Sequence, residues 1–463
     1  MGRGNGARPD RAHGGGMRTV VLGSFAGALL EWYDFFIYGT ASALVFGDLF
    51  FPGADPAVGT IASFATFSVG FFARPLGGIV FGHLGDRRGR KAALVWTLVM
   101  VGGATFLIGL LPTYGQAGVW APVLLTLLRL VQGFGLGGEY GGAALLTIES
   151  APAARRGFFG SLPQTAASAG IMLGTGVFSL CRWLLDDEQF TAWGWRVPFL
   201  VSALMLGVGM FVRLRTEESG DFRRERATAP AATAARPPLA ELLSSHRRNL
   251  LLALGARLAE TVSSNVVNAF AVSYVGTQLA LDDAVPLNGM LVASAVGLLV
   301  CPLAGRLSDR LGQRRLYLWG AAFAAVFAFP FFLLLDTRNT LVICLALILG
   351  YNLGPTVMFA VQPTLFTRMF GTGVRYTGLS VAYQVSAILG GLTPLIAGSL
   401  LTLGGGRPWL VAGFMAGIAV LSWVCVRLIR HPAAVPGVPA VPGGRDAVRG
   451  PGTPTATGPA ARG

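Results

Sequence analysis

Seven charged side chains interrupt the long apolar runs of this 463-residue sequence, and they carry its most distinctive chemistry. They are Glu31, Asp34, Arg74, Arg129, Glu139, Arg257 and Glu260. A charge in apolar surroundings costs several kcal/mol or is relieved by a partner, so such residues are rare and are by default paired or functional. The spacing and depth of the seven residues therefore indicate which of them act together.

Glu31 and Asp34 are three residues apart and share one face of a helix. Counted from the apolar-run ends at Val45 and Trp120, Asp34 and Arg129 agree in depth to within about 3 Å. An arginine holds a neighbouring carboxylate ionised, and loss of that contact favours protonation. We predict that Asp34 and Arg129, with Glu31, couple protonation to a change of conformation, and a static ion pair is the alternative.

Two further pairs of charged residues lie farther along the sequence. Arg74 and Glu139 match in depth, which predicts a salt bridge, and the alternative is that Arg74 binds a carboxylate ligand. Arg257 and Glu260 are again three residues apart, and Asn268 continues their face. This mixed-charge face suits a small organic anion or a zwitterion, although polar residues also serve as packing contacts between helices.

Aromatic residues surround the first pair of acids: Trp32, Tyr33, Phe35 and Phe36. Such rings can form a cage for a quaternary ammonium group. Packing against lipid or neighbouring helices is the more ordinary role, and both interpretations stay open at this point.

The elements that must position these residues are apolar helices. The composition is 53% hydrophobic and only 13% charged, whereas a soluble domain carries about 25% charged residues. Runs long enough to cross a bilayer recur at 18–46, 57–81, 92–112, 119–148, 158–184, 196–213, 249–275, 286–305, 316–336, 339–363, 376–403 and 408–429. None alternates as a barrel strand does. The sequence predicts an all-α polytopic membrane protein with twelve transmembrane helices.

The basic excess follows the same topology. The formal net charge is +14, and most Lys and Arg residues fall between the runs on one side if the N-terminus is inside. This places both termini in the cytoplasm and favours anionic lipid as the neighbour. We expect no nucleic-acid partner, since no basic soluble domain remains to bind one.

Other site chemistries find no support in the sequence. The chain contains no G-x-x-x-x-G-K-[ST], HExxH or GxSxG motif. Its four cysteines have no CxxC spacing, and its four histidines lie outside the apolar runs. We therefore expect no metal site, no cofactor and no enzymatic activity.

The chain is divided into two similar halves. GHLGDRRGRK at 82–91 recurs as GRLSDRLGQR at 305–314, each after the second apolar run of its half. The predicted organisation is a disordered N-terminal tail (1–17), two six-helix bundles (18–213 and 249–430), a cytoplasmic linker (214–248) and a disordered C-terminal tail (431–463).

These features resemble one family. The matching segments are EWYDFFIYG (31–39), SFATFSVGFFARPLGGIVFGHLGDRRGRK (63–91), LIGLLPTY (107–114), RLVQGFGLGGE (129–139), ESAPAARRG (149–157), WGWRVPF (193–199) and VRYTGLSVAYQ (374–384). The sequence resembles transporters of the major facilitator superfamily, specifically the metabolite:proton symporter group. The resemblance supports the two six-helix pseudo-repeats and the coupling role of Asp34 and Arg129.

The resemblance also implies a function. We expect a monomeric symporter of the bacterial inner membrane that works by alternating access and imports a small polar metabolite with protons. An organic acid or a zwitterionic osmolyte is the expected substrate, and the substrate-binding candidates are Arg74, Glu139, Arg257, Glu260 and Asn268. An exporter of drugs or metabolites is the alternative on the same fold, and a non-transporting membrane sensor is a weaker one.

By the same resemblance, the repeated loops form gates at the cytoplasmic side. The gating candidates are Gly82, Asp86, Arg87, Gly89, Arg90, Lys91, Glu149, Arg156, Asp309, Arg310 and Arg375. Asp86 is expected to face the first turn of the eleventh run, and an arginine to pair with Glu149. Arg368 stands where the family pattern has an acid, so we expect the second gate to be weak or differently connected.

Overall fold

The computed structural model describes residues 13–52, 56–88, 90–137, 147–148, 151–215, 238–370 and 375–429, and within these residues all regular secondary structure is helical. The rest of the chain, including the predicted C-terminal tail and residues 216–237 of the predicted linker, lies outside the described residues. Helix bounds are therefore observed within each of the predicted apolar runs.

The first half contains six long helices. They are α1 (His13–Leu44), α2 (Pro56–Arg88), α3 (Arg90–Gly109), α4 (Trp120–Leu136), α5 (Thr165–Leu184) and α6 (Val197–Arg215). Short helical turns connect them at Phe46–Phe50, Tyr114–Ala117, Ala153–Arg155, Arg156–Ser161, Asp187–Ala192 and Gly194–Arg196.

The second half begins after a short helix, Pro238–Ser245, which falls in the predicted linker. Helix α7 (Arg247–Asn265) continues through two π-helical segments, Val266–Phe270 and Tyr274–Gln278, separated by Ala271–Ser273. Helix α10 (Thr340–Tyr351) likewise passes through a π-helical segment, Asn352–Thr356, into Val357–Thr367. The others are α8 (Ala284–Leu311), α9 (Gln313–Leu335), α11 (Arg375–Leu403) and α12 (Trp409–Leu428).

A long helix occupies each of the twelve predicted runs, which confirms the helical fold class. Among the described residues, eight helical segments are long and apolar enough to cross a membrane, and Val95–Gly109 and Trp120–Leu136 are shorter apolar helices. The main difference concerns a boundary, since α1 begins at His13 whereas the predicted run begins at residue 18.

The two halves repeat the same packing scheme. In the first half α1 packs on α5, α2 on α4, and α3 on α6. In the second half the equivalent pairs, six helices later, are α7 with α11, α8 with α10, and α9 with α12. This correspondence is what two parallel repeats predict, and it extends the loop repeat seen in the sequence to whole helices.

Contacts between the halves also follow this symmetry. Helix α2 packs on α11, and α5 packs on α8. Because α8 is the counterpart of α2 and α11 is the counterpart of α5, these two contacts are equivalent under the repeat. On the first contact the Ser68 hydroxyl donates to the Gly391 carbonyl at 2.6 Å. On the second, a Cβ at Gly297 would lie 2.4 Å from Ser168 Oγ. Small residues thus allow both interfaces to close.

Glycines also bring α2 and α4 unusually close together. A Cβ at Gly133 would lie 1.8 Å from the Gly70 carbonyl oxygen, and one at Gly137 would lie 1.9 Å from the Arg74 carbonyl oxygen. Contact of this kind between backbones is typical of helices packed in a membrane, where small residues replace the hydrophobic driving force. The arginines of α2 and α4 are therefore held on helices whose separation is set by glycine.

We predict that Gly133→Ala destabilises the protein, because the added methyl must push the α4 backbone away from α2. Overpacking of this kind costs about 1–3 kcal/mol. The measurement is the thermal unfolding midpoint of the purified protein in detergent.

Gly103→Ala in α3 is the matched control, since a Cβ there meets nothing within 4 Å. It should leave the midpoint unchanged or raise it, because alanine is the better helix former. Equal midpoints for the two variants would contradict the close-packing explanation.

Candidate functional site

The two acids of α1 lie on the side of that helix that faces the interior of the first half. Glu31 and Asp34 are 7% and 4% exposed. Both line a small cavity that is closed by α3 and α6 and contains Ser202. Trp32 and Phe36, on another side of α1, line a separate cavity between the halves. The helix thus presents acids to one cavity and aromatic rings to the other.

Arg74 on α2 is almost completely buried, at 6% exposed. Its guanidinium lies 4.3 Å from the centre of the Phe71 ring and 5.8 Å from that of Phe35. The attractive carboxylate charge that acts on it comes from Glu31. The predicted partner Glu139 lies outside the described residues, so that salt bridge stays a prediction, and the structure adds Glu31 as a charge partner of Arg74.

Arg129 on α4 is 1% exposed. Its Nε donates to the Phe67 carbonyl at 3.2 Å, and its guanidinium lies 4.3 Å from the centre of the Tyr38 ring. It also donates to Gln132, which donates in turn to Thr105 at 2.8 Å. The charge of Asp34 acts on Arg129, so the predicted depth match brings these two residues within electrostatic reach.

Arg257 on α7 is held chiefly by α11. One of its terminal nitrogens donates to the Tyr383 carbonyl at 3.1 Å and to Ser386 at 2.9 Å. The guanidinium stacks 3.4 Å from the centre of the Tyr383 ring. The other terminal nitrogen lies 3.9 Å from Glu260 Oε2. The predicted pair therefore exists as a loose ion pair, with the arginine anchored elsewhere.

Charges from the two halves meet in the middle of the molecule. Arg74 in the first half is within electrostatic range of Arg257 and Tyr383 in the second. Arg74 also acts on Arg129. The buried basic residues of both halves thus influence one another, and a change of protonation at one acid changes the field at the others.

Glu260 extends into the cavity between the halves. Residues of both halves line it: Trp32, Phe36, Gln164, Ala167, Ser168, Glu260, Ser264, Cys301, Tyr351, Pro355, Thr356 and Phe359. Asn268 is half-buried and donates to Ser264 at 3.0 Å, so the predicted polar face of α7 leads into this cavity.

The π-helical segment of α10 shapes the opposite wall. Tyr351, Pro355 and Thr356 belong to or adjoin that segment and line the cavity. Because Pro355 has no N–H, the backbone widens there, and the Thr356 hydroxyl donates to the Tyr351 carbonyl at 3.0 Å. The sequence analysis did not identify this wall, although the proline was a visible signal.

At the end predicted to face the cytoplasm, Asp309 binds the first turn of the helix that precedes α5. Its two carboxylate oxygens accept hydrogen bonds from the backbone N–H groups of Gly157 (2.7 Å) and Phe158 (3.0 Å). A carboxylate at a helix N-terminus is favourable both as a cap and toward the helix dipole. This acid therefore connects α8 of the second half to the first half without needing a basic partner.

The neighbouring bases are arranged differently from an ion-pair gate. Arg314 donates to the carbonyls of Val426 and Arg427 at 3.1 and 2.5 Å, at the end of α12. Arg368, which is exposed, lies within electrostatic reach of Arg156 and of Asp309. The expectation of a weak or differently connected second gate stays a prediction.

The turn between α8 and α9 needs its glycine. Gly312 has φ +91°, in the region that side-chain-bearing residues rarely adopt. The backbone geometry thus explains the glycine at this position of the second loop. Arg310 is exposed near this turn.

The remaining gating candidates cannot be placed. The side chains of the first loop and of Arg375, together with Glu149, lie outside the described residues: Gly82, Asp86, Arg87, Gly89, Arg90, Lys91, Glu149 and Arg375.

At the opposite end, Arg182 forms a bridge between the halves that the sequence analysis missed. Arg182, on α5, contacts Asp187 at 2.6 Å and Asp283 of the α7–α8 loop at 3.0 Å. It also lies 4.8 Å from the centre of the Phe190 ring. The sequence signal was weak, since Arg182 lies near the end of an apolar run and Asp283 is 101 residues away.

Asp283 carries an electrostatic cost in this contact. Its desolvation raises its pKa, Arg182 lowers it, and Asp282 and Asp187 raise it, with a net rise. Burial therefore disfavours the charged carboxylate more than Arg182 stabilises it. Asp283 binds a proton more readily here than it would in water.

Metal chemistry has no evident location. Within the part of the chain that the structure describes, no group of three or more His, Cys, Asp or Glu side chains is placed to hold a metal ion.

These features define a class of protein: an α-helical membrane transporter made of two six-helix repeats, with a cavity at their interface. The sequence model described as "Sugar (and other) transporter" matches residues 19–429. The chain therefore belongs to the sugar (and other) transporter family of the major facilitator superfamily. Members of this family are membrane transporters rather than enzymes, as the sequence analysis expected.

Individual relatives are consistent with this assignment. The chain is 42% identical over 414 residues to the shikimate transporter of Escherichia coli (strain K12), covering 89% of this chain and 94% of that one. It is 35% identical over 449 residues to the glycine betaine/proline/ectoine/pipecolic acid transporter OusA of Dickeya dadantii (strain 3937), covering 93% and 87%. Metabolite transport by a multi-pass membrane protein is thus established at the family level.

Solved structures show the same fold. A crystal structure of a D-xylose–proton symporter superposes with a TM-score of 0.69 at 18% identity, and the match covers 88% of this chain and 97% of that one. At this identity the likeness concerns the fold alone, and it confirms the major facilitator architecture.

We predict that Arg182→Ala separates the outer ends of the two halves, because it leaves Asp283 partly buried without its cation. The measurement is the distance between spin labels at the exposed Thr191 and Thr402 by pulsed electron paramagnetic resonance, in a variant whose four free cysteines are replaced. The distance distribution should move to longer values. Arg315→Ala, an exposed arginine at the other end, is the control, and equal distributions for both variants would refute the bridge.

A pH effect follows from the raised pKa of Asp283. In the bridged arrangement the pKa of Asp283 lies above the value of about 3.9 that an exposed aspartate has. Acidification therefore favours the bridged arrangement as long as the pH stays above that ordinary value. The same label pair should therefore show shorter distances as the pH falls, and Asp283→Asn should remove part of that dependence. An unaltered pH profile in Asp283→Asn would contradict the assignment.

Proposed function

We propose that this protein is a proton-coupled symporter that imports a small polar metabolite by alternating access. The observation that carries the proposal is the buried charge cluster. Glu31 and Asp34 lie within electrostatic reach of Arg74 and Arg129, and Arg74 is in turn within reach of Arg257 in the other half. A proton that binds to either acid weakens its hold on an arginine and thereby changes the field at the interface.

In this mechanism Asp34 carries the proton, and Glu31 and Arg129 set its affinity. Both acids line the cavity beside α3 and α6 rather than the cavity between the halves. Proton and substrate therefore occupy different cavities and communicate through α1 and the arginines. Protonation would free Arg74 and Arg129 from part of their counter-charge and permit the halves to rearrange.

The substrate class follows from the relatives and from the polar groups of the cavity. One relative carries shikimate and another carries glycine betaine, proline, ectoine and pipecolic acid. We infer that the substrate here is a small organic acid or zwitterion. Arg74, Glu139, Arg257, Glu260 and Asn268 are proposed to line its path.

The proposal also covers the membrane in which the protein resides and the gates at the two ends of the transport path. The protein would reside in the bacterial inner membrane as a monomer in contact with anionic lipid, with both termini in the cytoplasm. The cytoplasmic gate would comprise the two repeated loops, of which the Asp309 contact to Gly157 and Phe158 supplies one connection. The Arg182–Asp283 bridge would act at the outer side.

Export is the competing function on this fold. The direct test is uptake of radiolabelled shikimate, proline and glycine betaine into proteoliposomes under an inward proton gradient. Uptake that collapses with an uncoupler supports import. Efflux from preloaded vesicles under an outside-acid gradient, without any uptake, would establish export by proton exchange instead.

We predict that Asp34→Asn abolishes proton-driven accumulation and leaves counterflow of substrate partly intact, because counterflow needs no net proton movement. Asp48→Asn is the matched control, since Asp48 is exposed just beyond α1. Accumulation by Asp34→Asn at the level of the control would refute the coupling role of Asp34.

A further inference from the structure

The residues that line the cavity between the halves are an unusual set for a site that binds an anion. Glu260 is the charged residue among its described lining residues, and the others are aromatic, hydroxyl, amide or apolar groups. No arginine or lysine belongs to this described lining. The formal charge that the described lining presents at the cavity surface is therefore a carboxylate, with the Arg257 guanidinium 3.9 Å from its Oε2 atom.

Glu260 also retains unused hydrogen-bonding capacity. The residue is 5% exposed, and its Oε2 atom is buried without a hydrogen-bond partner. The nearest cationic nitrogen, on Arg257, is 3.9 Å away, beyond hydrogen-bonding distance. A buried carboxylate oxygen without a donor is costly, so a ligand that supplies a donor or a positive charge at this point gains affinity.

Aromatic rings from both halves line the same cavity as the acid. The Trp32 ring stacks on Phe36 at 5.5 Å and meets Phe359 of α10 edge-on at 5.4 Å and 88°. Trp32 thus joins α1 to the second half at the cavity wall. Ring faces attract cations, tryptophan most strongly, and they also favour the weakly hydrated methyl groups of an alkylated ammonium.

We propose that this cavity binds a cationic nitrogen, an ammonium or N-alkylated ammonium group, between the Glu260 carboxylate and the rings of Trp32 and Phe359. The inference rests on the proposed transport function and narrows it to zwitterionic or cationic substrates. A dicarboxylate would meet the Glu260 charge at the same place and be repelled. A neutral hydroxyl could donate to Oε2 but would gain neither the charge-assisted bond nor the cation–π attraction.

The arrangement also links binding to the contact between the halves. Glu260 belongs to α7, Trp32 to α1 and Phe359 to α10. A cation that touches all three bridges the first and second halves. Binding would therefore stabilise the conformation in which these helices are close together, which is what a transported ligand must do in part of the cycle.

The test compares two ligands of the same shape and different charge. Glycine betaine (N,N,N-trimethylglycine, here called trimethylglycine) carries a quaternary nitrogen. Its analogue 3,3-dimethylbutanoate has a carbon in place of that nitrogen and an identical carboxylate. Binding of each to the purified full-length protein in detergent is measured by isothermal titration calorimetry. We expect trimethylglycine to bind at least about tenfold more tightly than its carbon analogue, the factor that corresponds to one cation–π contact together with the Coulombic attraction between the quaternary nitrogen and the Glu260 carboxylate.

Three variants locate the site. Glu260→Gln keeps the size of the side chain and removes its charge, so it should weaken trimethylglycine binding about tenfold or more and leave weak binding of the carbon analogue unchanged or improved. Trp32→Leu should weaken trimethylglycine binding as well. Glu188→Gln, at an exposed acid outside the cavity, is the control and should bind as the wild type does. Thermal unfolding midpoints of the ligand-free variants verify that each is folded.

Two results would overturn the proposal. Equal affinity for the two ligands would show that the nitrogen is not recognised. If Glu260→Gln binds trimethylglycine as tightly as the wild type does, the Glu260 carboxylate is not part of the binding site and is assigned to proton transfer instead.

Failure of this inference is distinguishable from failure of the transport function. Proton-driven uptake of a nitrogen-free acid, together with no binding of trimethylglycine, would overturn the cation site and leave the symporter proposal standing. Charge-selective binding of trimethylglycine without proton-driven uptake of any substrate would support the site and overturn the symporter.

Discussion

The structure depends on how charge is compensated inside apolar helices. Six of the charged side chains that the structure describes are nearly fully buried there: Glu31, Asp34, Arg74, Arg129, Arg257 and Glu260. Isolated charges at this depth are too costly to persist. Ring faces contact all three arginines, and backbone carbonyls accept hydrogen bonds from Arg129 and Arg257. In the proposed mechanism, helix α1, which lines both cavities, transmits a change of protonation from one cavity to the other.

The repeated packing scheme is what brings these charges together. Helices α2 and α4 touch backbone to backbone at glycines, and this places Arg74 and Arg129 side by side in the first half. The π-helical segment of α10 lies in the second half and contributes Pro355 and Thr356 to the wall of the cavity between the halves. The first half therefore holds the proposed proton site on regular, tightly packed helices. The second half supplies the more irregular wall, which suits a binding surface that must adapt to a ligand.

Much of this was predictable from the sequence, because hydrophobic run length and charge placement report directly on membrane helices. The twelve helices, the repeat and the identity of the buried charges all followed from these signals. The residues that contact these charged side chains could not be predicted in the same way. Arg257 stacks on Tyr383, which is 126 residues away, and Arg182 reaches Asp283 across 101 residues. Such contacts depend on helix rotation and on the relation between halves, which depth counting does not determine. The capping role of Asp309 likewise depends on where a helix begins on the other half.

The central claim is that substrate binding changes the protonation of the acids on α1. The most direct measurement is the number of protons taken up or released when the purified protein binds the substrate identified by the uptake screen, recorded with an indicator dye in weakly buffered detergent solution. The account predicts a proton exchange that depends on pH in the wild type and is lost in the double variant Glu31→Gln, Asp34→Asn. Undiminished proton exchange in that variant would contradict it.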